Sequence, residues 1–361
     1  MPSPVLHAAL PLITLLAIGC TSDKNADEDT GPQGIALLGG NTHAPGDLLI
    51  TTIIDGLDMP RDAAFNPEAD DELWIIDDGA GEMVVVSGAN TADQSDRGVK
   101  SSGSTHFFAR PAALAFGDTG TLATAQDEDE ITQSTTPADF MGPTLWPSDL
   151  SDFDAGHGSH LDMLHNTPNG VGIAWETENV YWIFDGYHGS LTRYDFGGDH
   201  GQGGSDHSDG EIARYAEGEL GYQDDVSSHL AYDADSGLLY AADTENGRIL
   251  VLDTTSGEDG GGYRPNYDGA DQYRVENTDT WALIEEPDLT QPSGLEIHDG
   301  VIYVSDYASG TIFAFDLDGE VIDWLDTGLG EESLMGMSFH PDGSLYVVDS
   351  EGGAIHRIAT K

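Results

Sequence analysis

From Asp47 onward, apolar residues fall in runs of four to six broken by Gly, Asp and Pro, without the three-to-four spacing of a helix. Leu73-Trp74-Ile75-Ile76-Asp77, Val180-Tyr181-Trp182-Ile183-Phe184-Asp185, Leu239-Tyr240-Ala241-Ala242-Asp243, Ile302-Tyr303-Val304-Ser305-Asp306 and Leu345-Tyr346-Val347-Val348-Asp349 are versions of one segment, and Thr121-Leu122-Ala123-Thr124-Ala125 is a sixth without the Asp. A shorter apolar segment precedes each, beginning at Met59, Arg110, Thr167, Ser228, Gln291 and Leu334. In most copies a third run follows across a Gly-containing turn, as in Met83-Val84-Val85-Val86 or Arg248-Ile249-Leu250-Val251-Leu252-Asp253. β-branched and aromatic residues fit strands, whereas Gly, Asp and Pro fit the turns between them. The pattern predicts short antiparallel meanders, repeated six times.

Six units spaced roughly 45–60 residues apart fit the blades of a β-propeller better than a solenoid, whose coils repeat every ~20–30 residues. The predicted fold is therefore all-β, a six-bladed propeller. Its last copy reaches Lys361 after only three strands, while Asp47-Leu48-Leu49-Ile50-Thr51-Thr52-Ile53-Ile54 is a strand that belongs to no copy. That strand is expected to close the ring as the outermost strand of the last blade, which protects an edge that would otherwise be open. The Pro-x-Gly start with the later Tyr-Val-x-Asp and Gly-x-Ile resembles the NHL-repeat family over residues 59–361.

Upstream, Val5 to Ile18 is an apolar run too short to span the roughly 30 Å core of a bilayer as a helix. It ends in Ala17-Ile18-Gly19-Cys20, which resembles a bacterial lipoprotein signal peptide. The resemblance implies cleavage before Cys20 and acylation of that cysteine, with palmitate-type chains giving a stable anchor. The expected organisation is a signal peptide over 1–19, a lipidated Cys20 with a flexible acidic tether over 20–46, and the propeller over 47–361. The expected location is the cell envelope, with membrane contact through the lipid alone and a monomeric domain.

Composition narrows the partners. The 361 residues carry 66 Asp+Glu against 12 Lys+Arg, a formal net charge of −54. A surface this negative repels phosphate backbones and anionic headgroups, so nucleic acid is excluded and a small molecule or a protein is expected. A single cysteine excludes an internal disulfide and a cysteine-based zinc cluster.

Antiparallel order sorts loops onto two faces. The starts of the first strands and the loops between second and third strands share one face, called upper here. Arg61, Asp62, Asn169, His229, Ser293 and Met335 then ring the channel mouth, joined by Asp77, Asp78, Asp185, Tyr187, His188, Asp243, Asp306 and Tyr307. The long stretch from Asp127 to Thr167 leads into the third copy and brings His157, His160 and His165 to the same face. Neutral imidazoles suit zinc or another divalent transition metal, so His160, His165, His188 and His229 are the candidate ligands. Hydrogen bonding of these histidines to neighbouring carboxylates is the open alternative. A second segment, Gly197 to Gly210 with His200 and His207, is expected between the third and fourth strands of copy three, on the lower face or rim. Its Asp residues suit calcium or simply a solvated loop.

NHL-type propellers include a zinc-dependent amidating lyase with histidine ligands, an arginine and a tyrosine. That resemblance implies ligation by His229 with His165 or His188, a substrate carboxylate on Arg61, and proton transfer by Tyr187 or Tyr307. The gluconolactonase and senescence-marker family is similar at Pro168-Asn169-Gly170 and implies a divalent cation in the channel held by a Glu, Asn residues and an Asp; on the upper face of this chain, Asp62, Asn169 and Tyr307 are the candidate ligand-binding positions. Met59-Pro60-Arg61-Asp62 stands where that family has a Glu, which ranks it second. The expected function is binding of a ligand or protein through the upper face, with a metal-dependent enzyme of these two kinds as the alternative.

Overall fold

A computed structural model describes residues 34–99, 107–118, 120–129, 141–155, 159–204 and 206–361. Cys20, the signal segment, the first part of the tether and His157 lie outside the described residues. Six sheets form, one per repeat, and the innermost strands of all six line one central channel. Blade 1 is built from Pro60–Asn66, Ala69–Asp77, Glu82–Ser87 and Ser95–Val99, and blade 5 repeats it with Pro292–His298, Val301–Asp306, Thr311–Phe315 and Val321–Asp326. Blade 6 contributes Leu334–Phe339, Leu345–Asp349 and Ala354–Thr360, and Leu48–Asp55 pairs antiparallel with the last of these, from Leu48 opposite Thr360 to Asp55 opposite Ala354. The chain is a six-bladed propeller closed by its N-terminal strand, as the unassigned run foretold.

The continuous apolar runs have a direct cause. Each strand is buried on both faces, and successive side chains enter different inter-blade gaps. Leu73 and Ile75 pack between blades 6 and 1, whereas Trp74 and Ile76 pack between blades 1 and 2. Six hydrophobic clusters result, one in each gap. The small residues at the blade starts let neighbouring inner strands approach closely. A Cβ at Gly172 would collide with the Ser228 carbonyl oxygen, and one at Gly294 with that of Met335.

The Asp that ends the second strand of blades 1, 4 and 5 is a clamp. Asp306 accepts from the backbone N–H groups of Thr290, Gln291 and Ser309 at 2.6–3.1 Å, Asp77 from Asp58 at 3.0 Å, and Asp243 from Gly221 at 2.8 Å. All three are buried. They fasten the chain as it arrives from the preceding blade, so these upper-face acids are spent on the fold.

Three features differ from the sequence expectation. The stretch 127–167 is not simply an insertion: it supplies the third and fourth strands of blade 2, Thr144–Pro147 and Asp162–Met163. Blade 3, from Gly170–Thr177 through Val180–Asp185 and Ser190–Asp195 to Glu211–Tyr215, gains two strands. After the third strand of blade 4, Arg248–Asp253, the chain crosses back, and Asp271–Glu276 pairs parallel with Glu211–Tyr215 before Glu258–Gly262 completes the edge. Finally, the span assigned to a tether is already packed by Gly34. Leu38 is fully buried between blades 5 and 6, and the Ile35 N–H donates to Asp323 Oδ2 at 2.6 Å. One small apolar patch, Ile35-Ala36-Leu37-Leu38, is enough to dock that segment.

Candidate functional site

The upper end of the channel is closed by charge. Arg61 is wholly buried: its Nη1 donates to Asp127 Oδ2 at 2.8 Å and Asp78 Oδ2 at 3.2 Å, and its Nε to Ser227 Oγ at 3.1 Å. Arg110 adds a second guanidinium, with Nη2 at 3.5 Å from Asp127, 3.8 Å from Asp78 and in contact with Asp225. Asn169 Nδ2 donates to Asp127 Oδ1 at 3.3 Å, and the Tyr222 hydroxyl lies 2.8 Å from the same oxygen. Burial pushes the Asp127 carboxyl up, but the Arg61 guanidinium overrides it and holds the group below the usual carboxylate range. Asp78, where burial prevails over the same arginines, sits above that range. The oxygens of Asp127, Asp224 and Asp225 lie close enough to hold a cation, yet two arginines already supply positive charge there. Arg61, expected to receive a substrate carboxylate, is enclosed, and these bonds would have to break first.

Beneath this plug lies the Asp62–His229 pair. Asp62 accepts from the N–H groups of Ala63 and Leu114, each at 2.8 Å, and His229 Nε2 is 3.0 Å from Asp62 Oδ1. His229 Nδ1 donates to the Ser293 carbonyl at 3.1 Å. With Nδ1 donating, the lone pair of the neutral ring sits on Nε2, which faces Asp62 Oδ1 without a hydrogen bond. The other candidate ligands are elsewhere. His160 packs on Phe107 and Trp146, His165 Nδ1 is 2.6 Å from Asp268, and His188 Nδ1 is 2.7 Å from Asp185. Among the described residues, none of the four joins a group of three metal-ligating side chains, so the histidine centre expected on the upper face is not assembled and does not fit a channel metal. Tyr307 is half-buried against the cluster between blades 6 and 1.

Below His229 the channel widens into a cavity of about 470 Å³ that opens beside exposed Pro67 and Asp118. Its walls mix apolar side chains, Phe65, Phe116, Trp175 and Phe339 among them, with the polar groups of Asp62, Asp118, His229 and Ser338. Glu296 stands in this wall, and burial, helped by the charge of Asp62, pushes its carboxyl up to about 8. Nothing in the repeat singled it out except a carboxylate between Leu295 and Ile297 in an inner strand.

A smaller cavity, about 220 Å³, lies over blade 3 on the upper side and is cationic. Tyr187 and His188, both anticipated, meet Arg214, Tyr263, Arg264 and Arg274 there. Three of the nine arginines in a chain of charge −54 therefore line one small pocket. The extra strands explain this gathering, because they carry Arg274 and the Tyr263-Arg264 turn back over blade 3. Arg214 is buried, with Nη2 donating to the Asn166 carbonyl at 3.0 Å and Cζ 4.3 Å from the Tyr263 ring centroid. Asp185 at 3.6 Å and Glu217 at 3.8 Å partly balance it, and Glu217 also accepts from Arg274 Nε at 2.5 Å. Two buried groups remain without partners, Arg214 Nε and the Tyr263 hydroxyl. Burial pushes that hydroxyl up to about 12, so it keeps its proton and can donate.

No family model and no curated protein matches the chain. Solved structures do. An auxiliary nutrient binding protein from Bacteroides thetaiotaomicron superposes with a TM-score of 0.57 at 10% identity, covering 86% of this chain and 76% of that one. A streptogramin B lyase gives 0.53 at 10% identity over 87% and 98%, and a candidate gluconolactonase 0.53 at 12% over 88% and 93%. At such identities the likeness establishes the propeller fold and no more.

Proposed function

We propose that this is an exported, lipid-anchored propeller that binds a small molecule bearing a carboxylate or similar oxyanion in the cationic pocket over blade 3. The observation that carries the reading is the pair of buried, unpartnered donors, Arg214 Nε and Tyr263 OH, beside two further arginines. An unsatisfied buried donor costs about 1–3 kcal/mol, which an oxyanion seated between them would relieve. A cavity of about 220 Å³ has room for an acidic group and a few attached atoms, with the rest of the ligand outside. The nutrient-binding neighbour supports a small-molecule partner, and Cys20 within its lipoprotein-like motif supports the anchor.

The test is calorimetry in 1 M NaCl with citrate, galacturonate and phosphate as probes. At least one should bind, and Tyr263→Phe and Arg264→Gln should each weaken it about tenfold. Tyr263→Phe should leave the unliganded fold as stable or more so, because it removes a stranded hydroxyl. Absence of binding by all three probes, or binding unchanged in both variants, overturns the reading. For the anchor, Cys20→Ser should move the protein from the detergent to the aqueous phase.

A second reading, an enzyme of the lyase or lactonase kind, is favoured by Glu296. A carboxyl that stays protonated at neutral pH in a deep cavity can act as a general acid. Turnover of a lactone panel that disappears in Glu296→Gln would select it.

A further inference from the structure

We infer that Asp162, His200 and Asp209 form a binding site for a divalent transition metal such as zinc, which clips blade 3 to blade 2. Asp162 opens the short outer strand of blade 2, whereas His200 and Asp209 lie on the hairpin that joins Ser190–Asp195 to Glu211–Tyr215 in blade 3. One ligand atom from each of the three lies within 4.8 Å of the others, and His200 Nε2 stands 2.9 Å from Asp209 Oδ1 and 3.8 Å from Asp162 Oδ2. Bonds of ~2.0–2.2 Å to a central ion need only a small closure of that triangle.

The decisive feature is Asp162. It is fully buried, and its Oδ2, which faces His200, accepts no hydrogen bond. The outer oxygens are committed elsewhere, which leaves Asp162 Oδ2 free and Asp209 Oδ1 bonded to His200 Nε2 at 2.9 Å on the inner side. Asp162 Oδ1 accepts from the Met163 N–H at 2.7 Å and touches His207 Nδ1, and Asp209 Oδ2 accepts from the Gly198 N–H at 3.0 Å. Such outer partners are what fix metal-binding carboxylates in place. A carboxylate wholly buried with one oxygen unpartnered carries a costly desolvated charge, which a cation would relieve. One imidazole and two carboxylates, with room for water, suit zinc, while calcium asks for 6–8 oxygens.

The experiment is titration of chelator-stripped protein with Zn²⁺, Co²⁺ and Ca²⁺ in 1 M NaCl, where diffuse attraction to the acidic surface is screened. One Zn²⁺ per chain should bind in the micromolar range or tighter and raise Tm, and Co²⁺ should give the intense visible bands of four-coordination. His200→Ala and Asp209→Asn, both on the exposed hairpin, should weaken Zn²⁺ at least 100-fold. His207→Gln should cost about tenfold as an outer partner. His340→Ala, on blade 6, and Tyr263→Phe should change nothing, which keeps this result separate from the fate of the anion pocket. Absence of stoichiometric Zn²⁺, binding undiminished in both hairpin variants, or preference for Ca²⁺ overturns the inference.

Discussion

Removing the closing strand should cost the domain most of its stability. Deleting residues 48–55 takes away Leu48 and Ile53, which are 5% and 7% exposed, and strips seven register positions from the outer edge of blade 6. Burial of a Leu or Ile contributes about 1.5–3 kcal/mol, so the two together supply roughly 3–6 kcal/mol. Each lost backbone hydrogen bond adds about 0.5–1.5 kcal/mol. The sum rivals the entire ~5–15 kcal/mol that holds an ordinary domain folded. Since such a deletion can simply fail to accumulate, point variants make the test quantitative. Ile53→Ala should lose about 2–5 kcal/mol because it empties part of the cluster between blades 6 and 1. Leu49→Ala, at a residue 49% exposed on the same strand, should change stability by less than about 0.5 kcal/mol. Urea unfolding followed by tryptophan fluorescence in 2 M NaCl measures both. Equal midpoints for Ile53→Ala and Leu49→Ala would refute closure by this strand.

Other outcomes follow from charge. Residues 1–19 contain no Asp, Glu, Lys or Arg, so a chain beginning at Cys20 keeps the formal −54, and its Tm should fall as NaCl is lowered from 1 M to 10 mM; an unchanged Tm counts against self-repulsion as a destabilising force. Glu296 loses its proton near 4.5 when unfolded but near 8 when folded, so the native state binds more protons in that window and stability declines as pH rises through it. Glu296→Gln should therefore match the wild type at pH 4 and exceed it at pH 8; parallel pH curves would contradict this placement of the carboxyl. Arg61→Met leaves Asp78 and Asp127 buried against a half-exposed Arg110 and should cost about 3–5 kcal/mol at pH 7. Asp127, held low by Arg61, contributes stability above its unfolded value of about 3.8 that is lost as pH falls through the lower folded value, so the deficit should narrow in acid. A variant equally destabilised at pH 3 and pH 7 would show that charge is not the cause.

The blades, their number and their closure were readable in the chain because strand pattern and turn chemistry are local. Alternate residues of a run such as Leu73–Ile76 feed two gaps, so the run must be apolar throughout, and a leftover strand had one vacant edge to fill. The sorting of loops onto faces was readable for the same reason, and it brought Arg61, Asn169, Asp62 and His229 to one end of the ring. What those groups do there was not. Asp127 takes Arg61, Asp62 takes His229, and the strand-ending aspartates take backbone N–H groups, because buried charges and polar atoms seek whichever partner lies within about 3 Å. Nothing in the local pattern reveals that distance. Nor did it reveal Leu38 docking between blades 5 and 6, or the return of residues 258–276 to blade 3. That return sets Arg214 beside Tyr263 and Arg274, some 50–60 positions later in the chain. A parallel strand lent by the next blade carries no signature of its destination, since its register is chosen by the surface it lands on.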